Sequence, residues 1–216
     1  MNSYKYILFD LDGTLTDPKE GITRSVAYAL ERMGIEVPDL DELCKFIGPP
    51  LKDSFMRFYG MSDSDAQAAV SRYREHHFSQ GGLFQNVVYD GMRELLESLK
   101  SQGKTLIVAT SKPQAYAVQI LEHFGLSQYF EFVSGSEFDG TRVKKAEVIA
   151  HALKECGIDK DRAVMVGDRS YDVVGAKSNG LPCIGILYGY GCREELEEAG
   201  SDFIVATVSE LKDLLK

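Results

Sequence analysis

The stretch Tyr6–Thr14, with the sequence YILFDLDGT, joins a short apolar run to two aspartates. The run Tyr6–Phe9 has the length and apolar content of a buried parallel strand. Asp10 and Asp12 follow it directly, and Gly13 permits a sharp turn after them. Two carboxylates at this spacing can supply one nucleophile and one acid/base group, although such a pair also occurs in ordinary turns and in calcium loops.

Five further apolar runs resemble Tyr6–Phe9 in length and in β-branched content. These candidate strands are Leu106–Ala109, Phe130–Val133, Ala163–Val166, Cys183–Leu187 and Phe203–Val205. Helical patterns lie between them, at Met92–Ser101, Gln114–Phe124, Ala146–Cys156 and Asp172–Ser178. Alternating strands and helices predict a doubly wound α/β fold with a parallel sheet. In such sheets ligands bind at the carboxyl ends of the strands, where the polar clusters that follow the runs would meet.

Residues 17–82 interrupt this alternation with helical patterns alone. The patterns cover Gly21–Met33, Asp39–Phe46, Leu51–Tyr59 and Ser64–Ser79. We therefore expect an all-α cap domain at 17–82, inserted into an α/β core that is formed by residues 1–16 and 83–216. Proline and glycine residues flank the insertion, as expected of hinges, so a movable cap over the catalytic site is predicted.

Composition limits the partners that the chain can have. Its 216 residues carry a formal net charge of −9, and a nucleic-acid polymer or an anionic membrane would require a basic surface. No uninterrupted apolar stretch approaches the length of about 20 residues that spans a bilayer. The four cysteines are scattered and show no C-x-x-C pairing, which favours reduced thiols. We expect a cytoplasmic protein that is a monomer or a homodimer.

Hydroxyl and basic residues mark two further motifs. Thr110 and Ser111 follow the second core strand, where a hydroxyl and free backbone N–H groups can hold phosphate oxygens, although such residues are also common in turns. Lys144 and Lys145 open a predicted helix, where a cation opposes the helix dipole. This placement suggests a specific anionic partner, and the alternative is a solvated basic pair.

The segment Gly167–Asp172 follows another apolar run and starts a helix. Asp168 and Asp172 stand four residues apart, which would place both carboxylates on one helix face, while Asp172 could instead cap that helix. Together with Asp10 and Asp12 they form an oxygen-rich set of the kind that binds Mg²⁺. The sequence therefore predicts a magnesium site at the carboxyl edge of the sheet.

These four elements, in this order and with these spacings, resemble the haloacid dehalogenase-like superfamily of phosphatases along essentially the whole chain. The resemblance implies a Rossmann-like core and a helical cap, in the branch that includes phosphoglycolate phosphatases and bacterial 5′-nucleotidases. It also implies an Mg²⁺-dependent phosphoric monoester hydrolase that acts on a small-molecule phosphate ester, either phosphoglycolate or a nucleoside 5′-monophosphate, through an aspartyl-phosphate intermediate.

Carried onto this chain, the resemblance makes Asp10 the nucleophile and Asp12 first the acid and then the base. Thr110 would bind phosphoryl oxygens, and a motif lysine would neutralise them. The Asp10 carboxylate, the Asp12 backbone carbonyl and Asp168 would hold Mg²⁺. Asp172 would be either a further ligand or a partner of the ligands.

The third motif departs from the family pattern, because many relatives have lysine followed by proline and this chain reads Arg142-Val143-Lys144-Lys145-Ala146-Glu147. The register of the following helix favours Lys145 as the motif lysine, and Lys144 is the alternative. The expected substrate-binding residues are Gly13, Thr14, Arg24, Ser111, Lys112 and Lys144.

Two other functions are compatible with parts of this pattern. A sugar-phosphate mutase of the β-phosphoglucomutase kind shares the core, but its cap pattern is not found in this sequence. A non-catalytic protein that binds phosphate or a nucleotide is the other possibility, and the complete set of motif residues argues against it. The loop Tyr188-Gly189-Tyr190-Gly191 follows a predicted strand and could shape the pocket.

Overall fold

The computed structural model describes residues 4–216 as two compact units. The larger unit contains the chain up to Asp17 together with Val88–Lys216, and the smaller contains Pro18–Val87. The first boundary lies close to the one suggested by the sequence. The second lies at residue 87 rather than at 82, because a 3₁₀ helix at Gly82–Phe84 continues the smaller unit.

A six-stranded parallel sheet forms the centre of the larger unit. The described residues form eight strands, which are β1 (Tyr6–Phe9), β2 (Thr16–Asp17), β3 (Val87–Val88), β4 (Thr105–Pro113), β5 (Phe130–Ser136), β6 (Ala163–Gly167), β7 (Cys183–Ile186) and β8 (Phe203–Val205). The order of the strands in the sheet is β5-β4-β1-β6-β7-β8, and β2 pairs separately with β3. The predicted parallel α/β sheet is confirmed.

The central strand β1 lies between β4 and β6, and its register brings the motif loops to one edge. Phe9, the last residue of β1, is level with Val108 of β4 and Val166 of β6. All three strands are parallel, so the residues that follow each of them emerge at the same end. The loops that contain Asp10 and Asp168 therefore begin side by side.

The smaller unit is helical. It contains α1 (Lys19–Glu31), α2 (Leu51–Tyr59) and α3 (Asp63–Ser79), with 3₁₀ helices at Asp41–Phe46 and Gly82–Phe84. The α-helix expected at Asp39–Phe46 is instead a 3₁₀ helix that begins at Asp41. Asp39 lies before it, because its Oδ1 accepts a hydrogen bond of 2.8 Å from the Asp41 N–H and so forms a turn. Phe46 packs on Phe55 of α2 with ring centroids 4.9 Å apart, which gives this unit its own apolar core.

Six more helices flank the sheet of the larger unit. They are α4 (Met92–Ser101), α5 (Gln114–His123), α6 (Lys145–Glu155), α7 (Ser170–Ser178), α8 (Arg193–Glu198) and α9 (Val208–Leu215). Fully buried side chains of the sheet, such as Leu8, Ile107 and Met165, pack against Val148 of α6 and Val173 of α7. Burial on both faces explains why the strands are continuous apolar runs.

Two findings concern the environment of the chain. Within residues 4–216 no helix has both the length and the apolar character needed to cross a membrane. All four cysteines, Cys44, Cys156, Cys183 and Cys192, are free thiols.

Candidate active site

The loops after β1 and β6 and the carboxyl-terminal part of β4 bring buried polar side chains together at one edge of the sheet. Thr110 and Ser111 were expected to follow their strand, but they lie within it because β4 continues to Pro113. The buried side chains are Asp10, Asp12, Thr14, Thr110 and Asp168, and α6 and α7 add Lys145 and Asp172. Each of them is less than a tenth exposed. Burial of so many charges is costly unless they are paired, so their contacts define what the site can do.

Lys145 is the cation at the centre of the cluster. Its Nζ lies 2.7 Å from Asp10 Oδ1 and 2.8 Å from Asp172 Oδ1, and it donates a hydrogen bond of 3.1 Å to the Ala109 carbonyl. Burial alone would lower the pKa of Lys145, but the two carboxylates together raise it above its usual value. Lys145 therefore stays protonated and holds Asp10 in place.

Lys144 has a different environment from its neighbour. It is exposed and forms the N-cap of α6, with its backbone N–H donating to Glu147 Oε2 at 3.3 Å. Of the two lysines that the sequence proposed, the structure brings Lys145 to the aspartates.

A second ion pair joins Asp12 to Lys112, whose Nζ lies 2.8 Å from Asp12 Oδ2. The other oxygen of Asp12, Oδ1, is buried and accepts no hydrogen bond from the described residues. Burial raises the pKa of Asp12 and the charge of Asp10 adds to this effect, while Lys112 opposes it. Asp12 thus has one oxygen that is paired with Lys112 and one that accepts no hydrogen bond from the described residues. The second oxygen is therefore available to donate or accept a proton.

Asp168 is the most enclosed carboxylate of the site. Its Oδ2 accepts a hydrogen bond of 2.8 Å from the Tyr190 backbone N–H, and Thr14 Oγ1 lies 3.5 Å from its Oδ1. Burial raises the pKa of Asp168 well above its usual value, and the charges of Asp172 and Asp10 raise it further. These carboxylates repel one another in the absence of a cation.

Asp172 caps its helix, as one of the two sequence interpretations had it, whereas the expected shared helix face with Asp168 is wrong. Asp168 precedes α7 rather than lying on it, and Asp172 in the first turn accepts a hydrogen bond of 3.1 Å from the Arg169 N–H through Oδ2. Its other oxygen contacts Lys145. Burial raises the pKa of Asp172 to about 6 against the opposing charge of Lys145. Asp172 therefore caps α7 and also belongs to the site.

The donor set fits a divalent cation. Carboxylate oxygens of Asp10, Asp168 and Asp172 can approach within 4.8 Å of one another, and all three residues are buried. Four aspartates, including Asp12, face only two lysines in the cluster, which leaves an excess of negative charge. Buried oxygen ligands with uncompensated charge are what Mg²⁺ and similar hard cations bind. The Asp12 side chain contacts Lys112, so the role expected for Asp12 as a ligand rests on its backbone carbonyl.

Three of the expected substrate-binding residues lie apart from these contacts. Arg24 is on α1 of the smaller unit and forms an exposed ion pair with Glu20 at 2.9 Å. Ser111 is half-buried, and its carbonyl accepts a hydrogen bond of 2.8 Å from Ser136 Oγ. Lys144 faces solvent, as described above. By contrast, Gly13 and Thr14 both lie beside Asp168.

The loop Tyr188–Gly191 contributes more than the sequence indicated. Tyr190 supplies the N–H that holds Asp168, and Tyr188 donates a hydrogen bond of 3.3 Å to the Thr14 carbonyl. A Cβ on Gly189 would lie only 2.3 Å from the Gly13 carbonyl oxygen. The alternation of glycine and tyrosine after β7 was the visible signal, but nothing in it showed which carboxylate the loop would contact.

Residues 7–186 match the family described as haloacid dehalogenase-like hydrolase. The chain belongs to this family. The family expected from the four motifs is therefore confirmed, and with it the Rossmann-like α/β core and the assignment of the chain as a hydrolase. A relative in Pseudomonas aeruginosa named 5′-nucleotidase is 49% identical over 213 residues, which cover 99% of this chain and 96% of that protein.

Two other relatives of this hydrolase are informative. The crystal structure of a predicted phosphatase from Clostridium acetobutylicum has a TM-score of 0.95 and 51% identity, and the match covers 98% of each chain. A protein of Mycobacterium tuberculosis named tyrosine-protein kinase PtkA is 39% identical, over 99% of this chain and 73% of its own length. All of these names concern the transfer or hydrolysis of phosphoryl groups.

Proposed function

We propose that this haloacid dehalogenase-like hydrolase is an Mg²⁺-dependent phosphatase that removes phosphate from a nucleoside 5′-monophosphate, with phosphoglycolate as the alternative substrate. The observation that carries the proposal is the pair of aspartates after β1. Asp10 is held by a buried lysine at 2.7 Å, and Asp12 has one oxygen paired and one open. A nucleophile beside a proton donor is the arrangement that covalent hydrolysis of a phosphate ester requires.

In the first step an Asp10 oxygen forms a bond to phosphorus as the ester oxygen leaves. Asp12 gives its proton to the leaving oxygen, so the alcohol departs neutral. Lys145 fixes the direction from which Asp10 attacks, through the contact of 2.7 Å between Lys145 Nζ and Asp10 Oδ1. Positioning and charge neutralisation of this kind account for most of the catalysis in phosphoryl transfer.

In the second step a water molecule loses a proton to Asp12 and attacks phosphorus, which frees Asp10 and releases inorganic phosphate. Thr110 Oγ1 accepts a hydrogen bond of 3.3 Å from the Lys112 N–H, so its own O–H can donate to a phosphoryl oxygen. In this proposal the helical insertion acts as the cap that keeps bulk water from the first step.

Asp10, Asp168 and the Asp12 carbonyl would hold the magnesium ion, with Asp172 as a further ligand or as a partner of the ligands. When bound, the ion neutralises charge on the phosphoryl group and on the carboxylates. The preference for nucleoside monophosphates rests on the Pseudomonas relative named 5′-nucleotidase.

The proposal is tested by measuring phosphate release from nucleoside 5′-monophosphates, phosphoglycolate, sugar phosphates and pyrophosphate, with Mg²⁺ or with EDTA. We expect Mg²⁺-dependent release that Asp10→Asn abolishes and that Asp213→Asn, an exposed aspartate on α9, leaves unchanged. Conversion of a sugar 1-phosphate to the 6-phosphate would indicate a mutase. Transfer of phosphate from ATP to a tyrosine peptide, without hydrolysis of esters, would indicate a kinase like the mycobacterial relative.

The double role of Asp12 can be tested separately with Asp12→Asn. This change removes the base of the second step, and a substrate with a good leaving group, such as p-nitrophenyl phosphate, needs no acid in the first. We expect a burst of one p-nitrophenol per chain and a phosphoryl group that remains on Asp10, as detected by intact mass and peptide mapping. Steady turnover at the wild-type rate would contradict the assignment of Asp12.

A further inference from the structure

A polar network surrounds the segment 137–144, which leads from β5 into α6. At its centre the guanidinium of Arg142 contacts groups from three surrounding elements. Its partners are the Gly135 carbonyl at 3.2 Å, Gln114 Oε1 at 3.3 Å, His151 Nε2 at 2.8 Å and the carboxylate of Glu137. The side chain thereby ties the segment before α6 to β5, α5 and α6 itself.

The contacts of His151 fix its protonation state. The Arg142 guanidinium can only donate, so His151 Nε2 must accept and carries no proton. The proton then lies on Nδ1, which is 3.1 Å from Ser134 Oγ, and Ser134 in turn donates to the Val148 carbonyl at 2.8 Å. The network therefore runs from Arg142, which precedes α6, through His151 and Ser134 to the Val148 carbonyl on α6. It requires a neutral imidazole.

The backbone of Arg142 shows that the segment is under constraint. With φ of 53°, it is the sole non-glycine residue between residues 4 and 216 that adopts a positive φ. An L-residue in the left-handed region is strained and persists when the surrounding contacts determine it. The four contacts of the guanidinium hold the Arg142 backbone in this conformation.

We propose that Arg142 and neutral His151 form a positioning pair that fixes the start of α6 and so places the Lys145 ammonium between Asp10 and Asp172. The proposal rests on the phosphatase function proposed above, in which Lys145 orients the nucleophile. Lys145 is the first residue of α6, three positions after Arg142. Neither Arg142 nor His151 belongs to the site itself.

Two further features affect the position of Lys145. Ala146 follows Lys145, so the first turn of α6 has no proline to fix its backbone in advance. The lysine stem also packs against α7, because a Cβ on Gly175 would lie 2.8 Å from Lys145 Cγ. Helix α7 thus limits where the stem can lie, and the segment before α6 determines where it begins.

The pair also depends on pH. The charged groups around His151 are Arg142 and Glu137 from the preceding segment and Lys154 and Glu155 from α6. Burial and the charge of Arg142 lower the pKa of His151 below its usual value. As the pH falls through that lowered pKa, an imidazolium would face the guanidinium and the contact would be lost. The pair is intact above this pH and open below it.

Accessibility of Lys145 gives a test that does not depend on activity. Reductive methylation followed by mass spectrometry compares buried Lys145 with exposed Lys144, which serves as the internal reference. We expect Lys145 to be protected in the wild type and to react several-fold faster in Arg142→Gly, which keeps the backbone conformation without strain and removes the guanidinium. Arg193→Ala, which removes an exposed guanidinium from α8, should leave the protection unchanged.

Kinetics and NMR complete the test. Arg142→Gly should lower kcat between about tenfold and a hundredfold with a smaller change in KM, because a shifted catalytic group costs this much. His151→Gln offers an uncharged acceptor to Arg142, so it should keep wild-type kcat at neutral pH and retain protection of Lys145 at acidic pH, where the wild type loses it. ¹⁵N NMR should show the Nδ1–H tautomer of His151.

Protection of Lys145 and an unchanged kcat in Arg142→Gly would overturn the proposal, as would an Nε2–H tautomer of His151 in the wild type. If Arg142→Gly fails to fold, two other results still test the proposal. They are the tautomer of His151 and the protection of Lys145 in His151→Gln compared with the wild type at acidic pH. A wild-type chain that releases no phosphate would defeat the proposed function instead, because neither the methylation pattern nor the tautomer requires turnover.

Discussion

At the scale of single residues, Lys145 is a buried cation that is held between two buried carboxylates. It is the one cation that contacts two of the buried carboxylates, Asp10 and Asp172, within the described part of the chain. Removing one partner of a buried ion pair is costly because the remaining charges are left in a medium that solvates them poorly. Its neighbour Lys144 is exposed to solvent.

We therefore expect Lys145→Ala to lose at least about 100-fold in phosphate release, as when a charge-stabilising group is removed. It should also lose about 3–5 kcal/mol of the free energy of unfolding, measured by urea denaturation in EDTA. Lys144→Ala is the matched control and should be close to wild type in both measurements. The reverse pattern would make Lys144 the motif lysine.

At the scale of elements, the loops of the site approach one another so closely that two positions have no room for a side chain. Gly13 follows β1 with φ of 84°, and a Cβ there would lie 2.3 Å from Asp168 Oδ2. Gly189 follows β7 and would place a Cβ 2.3 Å from the Gly13 carbonyl oxygen and 2.5 Å from the Asp168 Cβ. Three loops thus meet at the Asp168 side chain, which leaves no room for a side chain on Gly13 or Gly189.

Gly189→Ala should separate these loops and move Asp168. We expect weaker Mg²⁺ binding by isothermal titration calorimetry, with a rise in Kd of about tenfold or more, similar to the loss of a group that orients a metal ligand. Gly103→Ala is the control, because a Cβ there meets open space and only the positive φ is strained. It should lower stability by about 1 kcal/mol and leave Mg²⁺ affinity unchanged. Equal Mg²⁺ affinity of Gly189→Ala and the wild type would contradict this account.

At the scale of the whole molecule, the buried acidic cluster connects folding to pH and to cations. The pKa of Asp12 and of Asp168 is raised in the folded state, and that of Asp172 is raised to about 6. A carboxyl group with a raised pKa binds more protons when folded than when unfolded, so its contribution to stability is lost as the pH rises through the folded pKa. Without a cation, the protein should therefore lose stability between about pH 5 and pH 7.

A bound cation should replace those protons. We expect Mg²⁺ to raise Tm more at pH 7 than at pH 5, because at the lower pH protons already neutralise part of the cluster. Differential scanning calorimetry with Mg²⁺ or EDTA at both pH values measures this difference. Asp168→Asn should remove most of the response to Mg²⁺. An equal Mg²⁺ effect at both pH values would show that the cation binds away from these carboxylates.

Much of the fold could be predicted because a buried strand is visible in the sequence as a run of apolar residues. Strand β1 was predicted with its observed ends, since a strand covered on both faces is an unbroken apolar run. Strands β2 and β3 were missed because two residues carry no periodicity. The helix expected at 39–46 is a 3₁₀ helix that begins two residues later, because the Asp39 side chain accepts a hydrogen bond from the Asp41 N–H and forms a turn there.

Within the site, the positions of Asp10, Asp12 and Asp168 relative to the strands were predictable from local sequence. The partners of these residues were not. Tyr190 meets Asp168 from 22 positions away, and Arg142 meets His151 from 9. Contacts of this kind depend on how loops pack after folding, and single-sequence patterns do not encode them.

The order of the strands in the sheet has a consequence for synthesis on the ribosome. Asp10, the proposed nucleophile, comes long before Tyr190, whose loop orients Asp168, so translation produces the first well ahead of the second. Strand β1 pairs with β6, so β1 lacks this neighbour until β6 has been translated. A nascent chain without β6 and the loop of Tyr190 lacks the assembled site, so the proposed phosphatase activity can begin only after both have been translated.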